Sequence, residues 1–173
     1  MPCVLTKSIN LGCRDAKGGI SAVYVTELGN KDAITEAAKI VTAFTLDDGK
    51  QFWTYEQEIE KAFAVENIQT SRENGSVFYE SDLTISLYKG EASTQAELEL
   101  LAANRLMIII KDNGGKYWLM GKENGAMLEP STRNTGTAFG DMNGYTLVFK
   151  AKEANAMPEV QASLMATLLA PAA

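Results

Sequence analysis

At 173 residues and a formal net charge of −6, the chain is long enough to bury roughly 70% of its unfolded surface as one domain, without help from a disulfide or metal. It contains no histidine, which removes the usual general base, the Ser–His and Cys–His nucleophile pairs and the commonest metal ligand, so most hydrolase and metalloenzyme mechanisms are not expected. The acidic balance opposes a grip on phosphate backbones, which takes clustered Lys and Arg, but allows a surface past which nucleic acid slides without sticking.

No window approaches the ~18–20 consecutive apolar residues of a membrane span, and MPCVLTKSIN has no long apolar segment behind its charges, so neither membrane insertion nor a signal peptide is expected. Cys3 and Cys13 lack metal-ligand spacing and are expected as thiols. From residue 4 to 11 the chain alternates, Leu5, Lys7, Ile9 and Leu11 against Val4, Thr6, Ser8 and Asn10, which predicts a strand. Residues 20–28 (ISAVYVTEL) are β-branched and aromatic, a second strand. Residues 32–39 are Ala-rich behind a possible N-cap at Asp32 and are expected as a helical turn. Residues 40–46 form a third strand, and Asp47-Asp48-Gly49 turns it into a fourth over 51–61. That fourth strand would put Trp53, Tyr55 and Ile59 on one face and Thr54, Glu56, Glu58 and Glu60 on the other.

Residues 63–73 and 76–88 are joined at Asn74-Gly75, a strong hairpin signal. The tip, Thr70, Ser71, Arg72, Glu73, Asn74, Gly75 and Ser76, is wholly polar, while Phe63 and Val65 lie opposite Leu83, Ile85 and Leu87 at the base. This long hairpin, 63–88, is expected to project from the body. Thr94 and Glu97 form a T-x-x-E capping box that starts a helix over 95–104, with Leu98, Leu101 and Ala102 as its apolar stripe. The run Leu106, Met107, Ile108, Ile109, Ile110 predicts a strand covered on both faces, and Asp112-Asn113-Gly114-Gly115 returns the chain through Tyr117, Trp118, Leu119 and Met120. Residues 121–144, broken by Gly and Pro130, read as a loop-rich excursion with one short strand at 135–139. Residues 145–150 are the final strand. Residues 153–173 form an Ala-rich tail outside the domain 1–152, helical from Pro158 or ordered only on assembly.

Asn-Gly recurs at 74, 113, 124 and 143, and Asp-Gly at 48. Such turns between short strands favour a mainly β (α+β) fold of two packed antiparallel sheets, a β-sandwich or half-open barrel, with one flanking helix. Glu56, Glu58 and Glu60, at spacing two on a strand, read either as a solvated sheet face or as a metal site, acid catalysis or a negatively charged lining. Asp112-Asn113-Gly114 and Asp141-Met142-Asn143-Gly144 lack the ligand ladder of a calcium loop and read as turns. Lys116, Tyr117, Trp118 and Lys122 read either as hairpin core aromatics or as a patch for sugar or single-stranded nucleic acid. No nucleotide-binding or acyl-transfer motif occurs, and no cofactor, metal or catalytic residue is expected.

The segments LAANRLMIIIKDNGGKYWLMGKENG and TGTAFGDMNGYTLVFKAKE, with the opening Cys3, Leu5-Thr6, Cys13-Arg14-Asp15, Gly18-Gly19-Ile20 and Tyr24, resemble tail structural proteins of tailed bacteriophages, in particular virion proteins of phages of gut Bacteroidetes. The element order is similar to that of major tail tube proteins. The resemblance implies a non-enzymatic subunit of the virion tail, assembled in the host cytoplasm into stacked, hexameric rings around a DNA channel. Its partners would be itself, tape measure and terminator proteins, and DNA passing non-specifically, with no membrane. The hairpin tip 70–76 would contact the next ring, and Glu56, Glu58 and Glu60 would face the lumen. Other head–tail, tail completion or capsid decoration roles, or a carbohydrate-binding module, are the alternatives.

Overall fold

The computed structural model describes Leu5 and residues 7–89 and 91–170. It is mainly β: β1 (Ile20–Glu27), β2 (Lys31–Ala37), β3 (Ile40–Leu46), β4 (Trp53–Glu56), β5 (Phe63–Ser71), β6 (Ser76–Tyr88), β7 (Leu106–Asp112), β8 (Tyr117–Met120), β9 (Ala126–Asn134), β10 (Gly144–Glu153) and β11 (Glu159–Val160), with helices α1 (Ala92–Ala103) and α2 (Met165–Leu168). The strands form one large mixed sheet, in the order β2-β3-β11-β8-β7-β9-β10-β6-β5, with β1 joined to β7 and β4 to β1. The pairings are antiparallel except β11 with β3.

β7 organises the interior. It pairs with β1 (Val23↔Ile110, Val25↔Ile108) on one side and with β8 (Ile109↔Leu119) on the other. Because successive side chains point to opposite faces, its continuous apolar run feeds two cores. Leu106, Ile108 and Ile110 join Val23, Val25, Leu83, Ile85, Leu147 and Phe149 in the first. Met107 and Ile109 join Val41, Phe44, Phe52, Val160, Met165 and Leu168 in the second. This is why the run does not alternate, as its residue chemistry implied. The turn after β7 is organised by Asp112, whose carboxylate accepts from the Lys116 amide at 2.9 Å and from Trp118 Nε1 at 3.1 Å.

β7 meets β9 at a single register pair, Leu106↔Ala126, and this junction needs a residue without a side chain. Gly121 has φ +75°, and a Cβ there would lie 2.6 Å from the Ala126 amide nitrogen and 2.8 Å from the Leu106 carbonyl oxygen. β9 itself lies in a region expected to be mostly loop. Pro130 cannot donate to a ladder, and the register slips between Thr146↔Thr132 and Val148↔Glu129, so the strand bulges around it. Ser131 Oγ accepts from the Val148 amide at 3.1 Å and repairs the gap. The strand expected at 135–139 does not form.

Other expectations also change. Residues 7–11 and Leu5 form no strand; Val4 and Thr6 lie outside the described residues, as does Cys3. Within 32–39, residues 32–37 are strand rather than helical turn, because Ile34 pairs with Phe44 and a tight turn at Ala38 (φ 51°) and Lys39 (φ 67°) sends the chain back into β3. α1 starts at Ala92 without a side-chain cap, so Thr94 lies inside the helix and the Thr94–Glu97 box is not used. Leu101 is buried and Leu98 half-buried, while Ala102 is exposed. The boundary placed at residue 152 falls inside β10, and the segment beyond it is no separate tail. Val160, Met165 and Leu168 are buried in the second core, and Pro158 precedes β11 rather than opening a helix.

Candidate functional site

The hairpin β5–β6 is paired without interruption from Phe63↔Thr84 to Ser71↔Ser76. Arg72, Glu73, Asn74 and Gly75 make the connection, with Gly75 at φ +60° and the Asn74 amide donating to Ser71 Oγ at 3.3 Å. Thr70, Arg72, Glu73, Asn74, Gly75 and Ser76 are exposed and Ser71 is half-buried. The register corrects which side chains root the hairpin. Leu83 sits opposite Ala64, whereas Phe63 and Val65 sit opposite Thr84 and Asp82 and therefore point to the other face. Phe63 and Val65 are exposed, as are Ile68 and Val77 nearer the tip. A polar tip thus sits on a hairpin whose shaft carries uncovered apolar side chains on both faces, a feature hidden by the polar composition of 70–76.

The outer face of β6 and β10 is polar. Lys150 lies 3.3 Å from both Glu80 and Asp82, and Lys152 lies 3.4 Å from Glu80. This ladder gives β6 a solvated face along the body, in contrast with the bare shaft of β5.

The three candidate lining acids do not share a strand face. β4 ends at Glu56, and Glu58 and Glu60 follow in a turn closed by the Lys61 amide to the Glu58 carbonyl at 3.2 Å, with Glu60 at φ 63°. Gln57 ties this turn down by accepting from the Ser86 amide at 3.2 Å. All three carboxylates are exposed. Glu56 and Glu58, with Tyr55, Thr94 and Glu97, line an open cleft of about 660 Å³ between β4, the end of β6 and α1. The Tyr55 hydroxyl donates to Glu97 Oε1 at 3.4 Å. Burial and then the nearby Glu97 carboxylate push the Tyr55 phenol up to about 12, so it stays protonated at neutral pH.

Tyr117 and Trp118 cannot form one platform, because neighbours on a strand face opposite ways. Tyr117 packs against the second core, 6.3 Å from Tyr24 between ring centroids, and Trp118 against the first. Asp141 accepts from the Thr137 and Ala138 amides at 2.8 Å each, which holds its carboxyl below the usual range and makes it a turn residue. Among the described residues, no group of three or more His, Cys, Asp or Glu converges on a metal position, and no helix is long and apolar enough to cross a membrane.

Glu153 and Lys122 each bind partners far away in sequence, Glu123 and Asn124 for the first and Glu36 for the second, and so carried no local signal. The buried Glu153 carboxylate accepts from the Glu123 and Asn124 amides at 3.1 and 3.0 Å. Lys122 binds Glu36 at 2.7 Å and Glu123 at 3.2 Å; burial lowers its pKa, but these hydrogen bonds outweigh it and raise the value overall. Compared with protein-family models, curated proteins and solved structures, the chain gives no match.

Proposed function

We propose that this chain is a non-enzymatic structural subunit that polymerises with copies of itself, as a tail tube protein of a tailed phage does. The observation that carries the reading is the β5–β6 hairpin: a nine-residue edge strand paired, among the described residues, on one side only, with Phe63, Val65 and Ile68 uncovered along it. An unpaired edge with exposed apolar side chains invites strand addition and is costly for a protein that must remain solitary. On this reading the sheet folds at Leu106↔Ala126 into two facing layers, a sandwich flanked by α1. The hairpin then projects, with residues 70–76 reaching the adjacent ring.

The remaining parts of the proposal follow from the resemblance in sequence. Rings, hexameric by that resemblance, stack into the channel of a virion tail, with tape measure and terminator proteins as further partners. DNA passes non-specifically along a lumen that the net charge of −6 keeps repulsive. Exposed Glu56, Glu58 and Glu60 contribute to that lining from a strand end and its following turn. Negative-stain electron microscopy of the purified protein across a concentration series tests the reading: rings or tubes are expected, and a monomer persisting at millimolar concentration would overturn it.

A further inference from the structure

Before β1, Leu5 and residues 7–19 form an arm that adopts no strand despite its pattern. Leu5, Ile9 and Leu11 are 98%, 97% and 103% exposed, and every described residue from 5 to 19 is exposed. Yet Leu5, Lys7, Ile9 and Leu11 alternate with smaller polar residues, the period of a strand lying on an apolar surface. Three large aliphatic side chains at strand spacing, with no surface to lie on, are an unspent half of an interaction.

The root of this arm is fixed. Asn113 Nδ2 donates to the Gly18 carbonyl at 2.8 Å and the Asn113 amide to the Gly19 carbonyl at 3.1 Å. Lys17, Gly18 and Gly19 share one cavity wall with Phe63 and Ala64, so the arm departs beside the start of β5. Among the described residues the arm nevertheless forms no strand pair with β5, which leaves that edge to another chain. Extended, residues 5–17 span about 40 Å at ~3.3 Å per residue, more than the ~30 Å of a nine-residue strand.

We infer that the arm of one copy adds as a strand to the β5 edge of a second copy, with Leu5, Ile9 and Leu11 lying on the face that carries exposed Phe63 and Val65. β5 is the edge suited to accept it. It contains no Pro, Lys or Arg and keeps an unbroken register with β6, whereas β2, at the opposite end of the sheet, carries Lys31 and two register shifts and β4 has only four residues. Edges without proline, lysine or bulges are unprotected against pairing. Charge agrees as well: the arm carries Lys7, Arg14 and Lys17 against Asp15, on a chain whose net charge is −6. This inference rests on the self-assembly reading and adds to it the segment and the edge that make the joint.

The test uses the full chain. Leu5→Ser, Ile9→Ser and Leu11→Ser together leave charge unchanged and alter only exposed side chains. Sedimentation and electron microscopy should show a folded protein whose midpoint concentration for assembly rises at least tenfold. In a Cys3→Ser, Cys13→Ser background, chains bearing Ile9→Cys mixed with chains bearing Val65→Cys should give a disulfide-linked dimer on oxidation. Assembly of the triple serine variant at the parental concentration, with no cross-link, would overturn the arm while leaving self-assembly intact. With both cysteines in one chain, a bridge formed only within that chain would show the arm closing on its own body and would also overturn it. A parent chain that never assembles would remove both proposals together.

Discussion

Replacing Leu168 by Ala asks whether the segment after β10 is part of the folded body. The side chain is 2% exposed and shares the second core with Phe44 and Val41 from β3, Phe52 from the approach to β4, and Met107 and Ile109 from β7. Its carbonyl accepts from the Phe52 amide at 2.9 Å, a backbone contact that the substitution leaves in place. What is lost is therefore packing, for which a buried Leu→Ala change costs about 2–5 kcal/mol. The surrounding side chains come from several separate elements and cannot all collapse into the cavity, so about 3–4 kcal/mol is expected. At ~2–4 °C per kcal/mol for a domain of this size, Tm should fall by about 6–16 °C. Circular dichroism melts and urea titrations, run below the assembly concentration, measure this directly. Leu11→Ala, at a side chain 103% exposed, is the internal control and should change stability by less than ~0.5 kcal/mol. A Leu168→Ala protein melting within a degree of the parent would refute the buried position of this segment.

Tyr55 should titrate near 12, above its ordinary 10.0. Its raised value means that the folded state holds the proton more tightly. The associated stability is complete below pH ~10 and is lost as pH rises from ~10 to ~12, on the order of 1–2 kcal/mol once the ring's partial exposure is allowed for. Ultraviolet titration should show late ionisation from Tyr55 and from Tyr24, which burial also raises, and Tyr55→Phe should remove the Tyr55 component alone; an unchanged titration curve would contradict the Tyr55–Glu97 environment. Glu153→Ala strands the Glu123 and Asn124 amides and should cost about 1–3 kcal/mol in a denaturant melt, with Glu153→Gln, which keeps one acceptor, costing less. Under the tail-tube proposal, Glu56→Lys, Glu58→Lys and Glu60→Lys together should spare tube formation, since all three are exposed, but impair DNA ejection from virions. Normal infectivity of that triple variant would count against a lumen position.

The parts of the fold readable from sequence are those specified locally. The apolar run of β7, the Asp112–Gly115 turn and the Asn74-Gly75 hairpin each carry their own signal within a dozen residues. β2 and β9 do not. Ile34 becomes strand because Phe44 lies across from it, and Pro130 is tolerated because the ladder bulges and Ser131 fills in. The placement of Glu58 and Glu60 in a turn was obscured because spacing by two persists through the end of β4. Glu153 and Lys122 are held by partners whose sequence distance leaves no pattern to read. For the arm the situation is reversed: its alternation reads as strand, yet among the described residues it pairs with no strand, so pattern and monomer disagree where an intermolecular contact would reconcile them.

The parallel pairing of β11 with β3 has a cost in time. Phe44 and Phe52 are covered by Val160, Met165 and Leu168, residues that leave the ribosome more than a hundred positions later. At ~5–20 residues per second of synthesis, the two aromatics stay bare for roughly 6–24 s. A nascent chain thus carries these two aromatics without their C-terminal cover for most of its translation, and only the last residues to emerge close the second core.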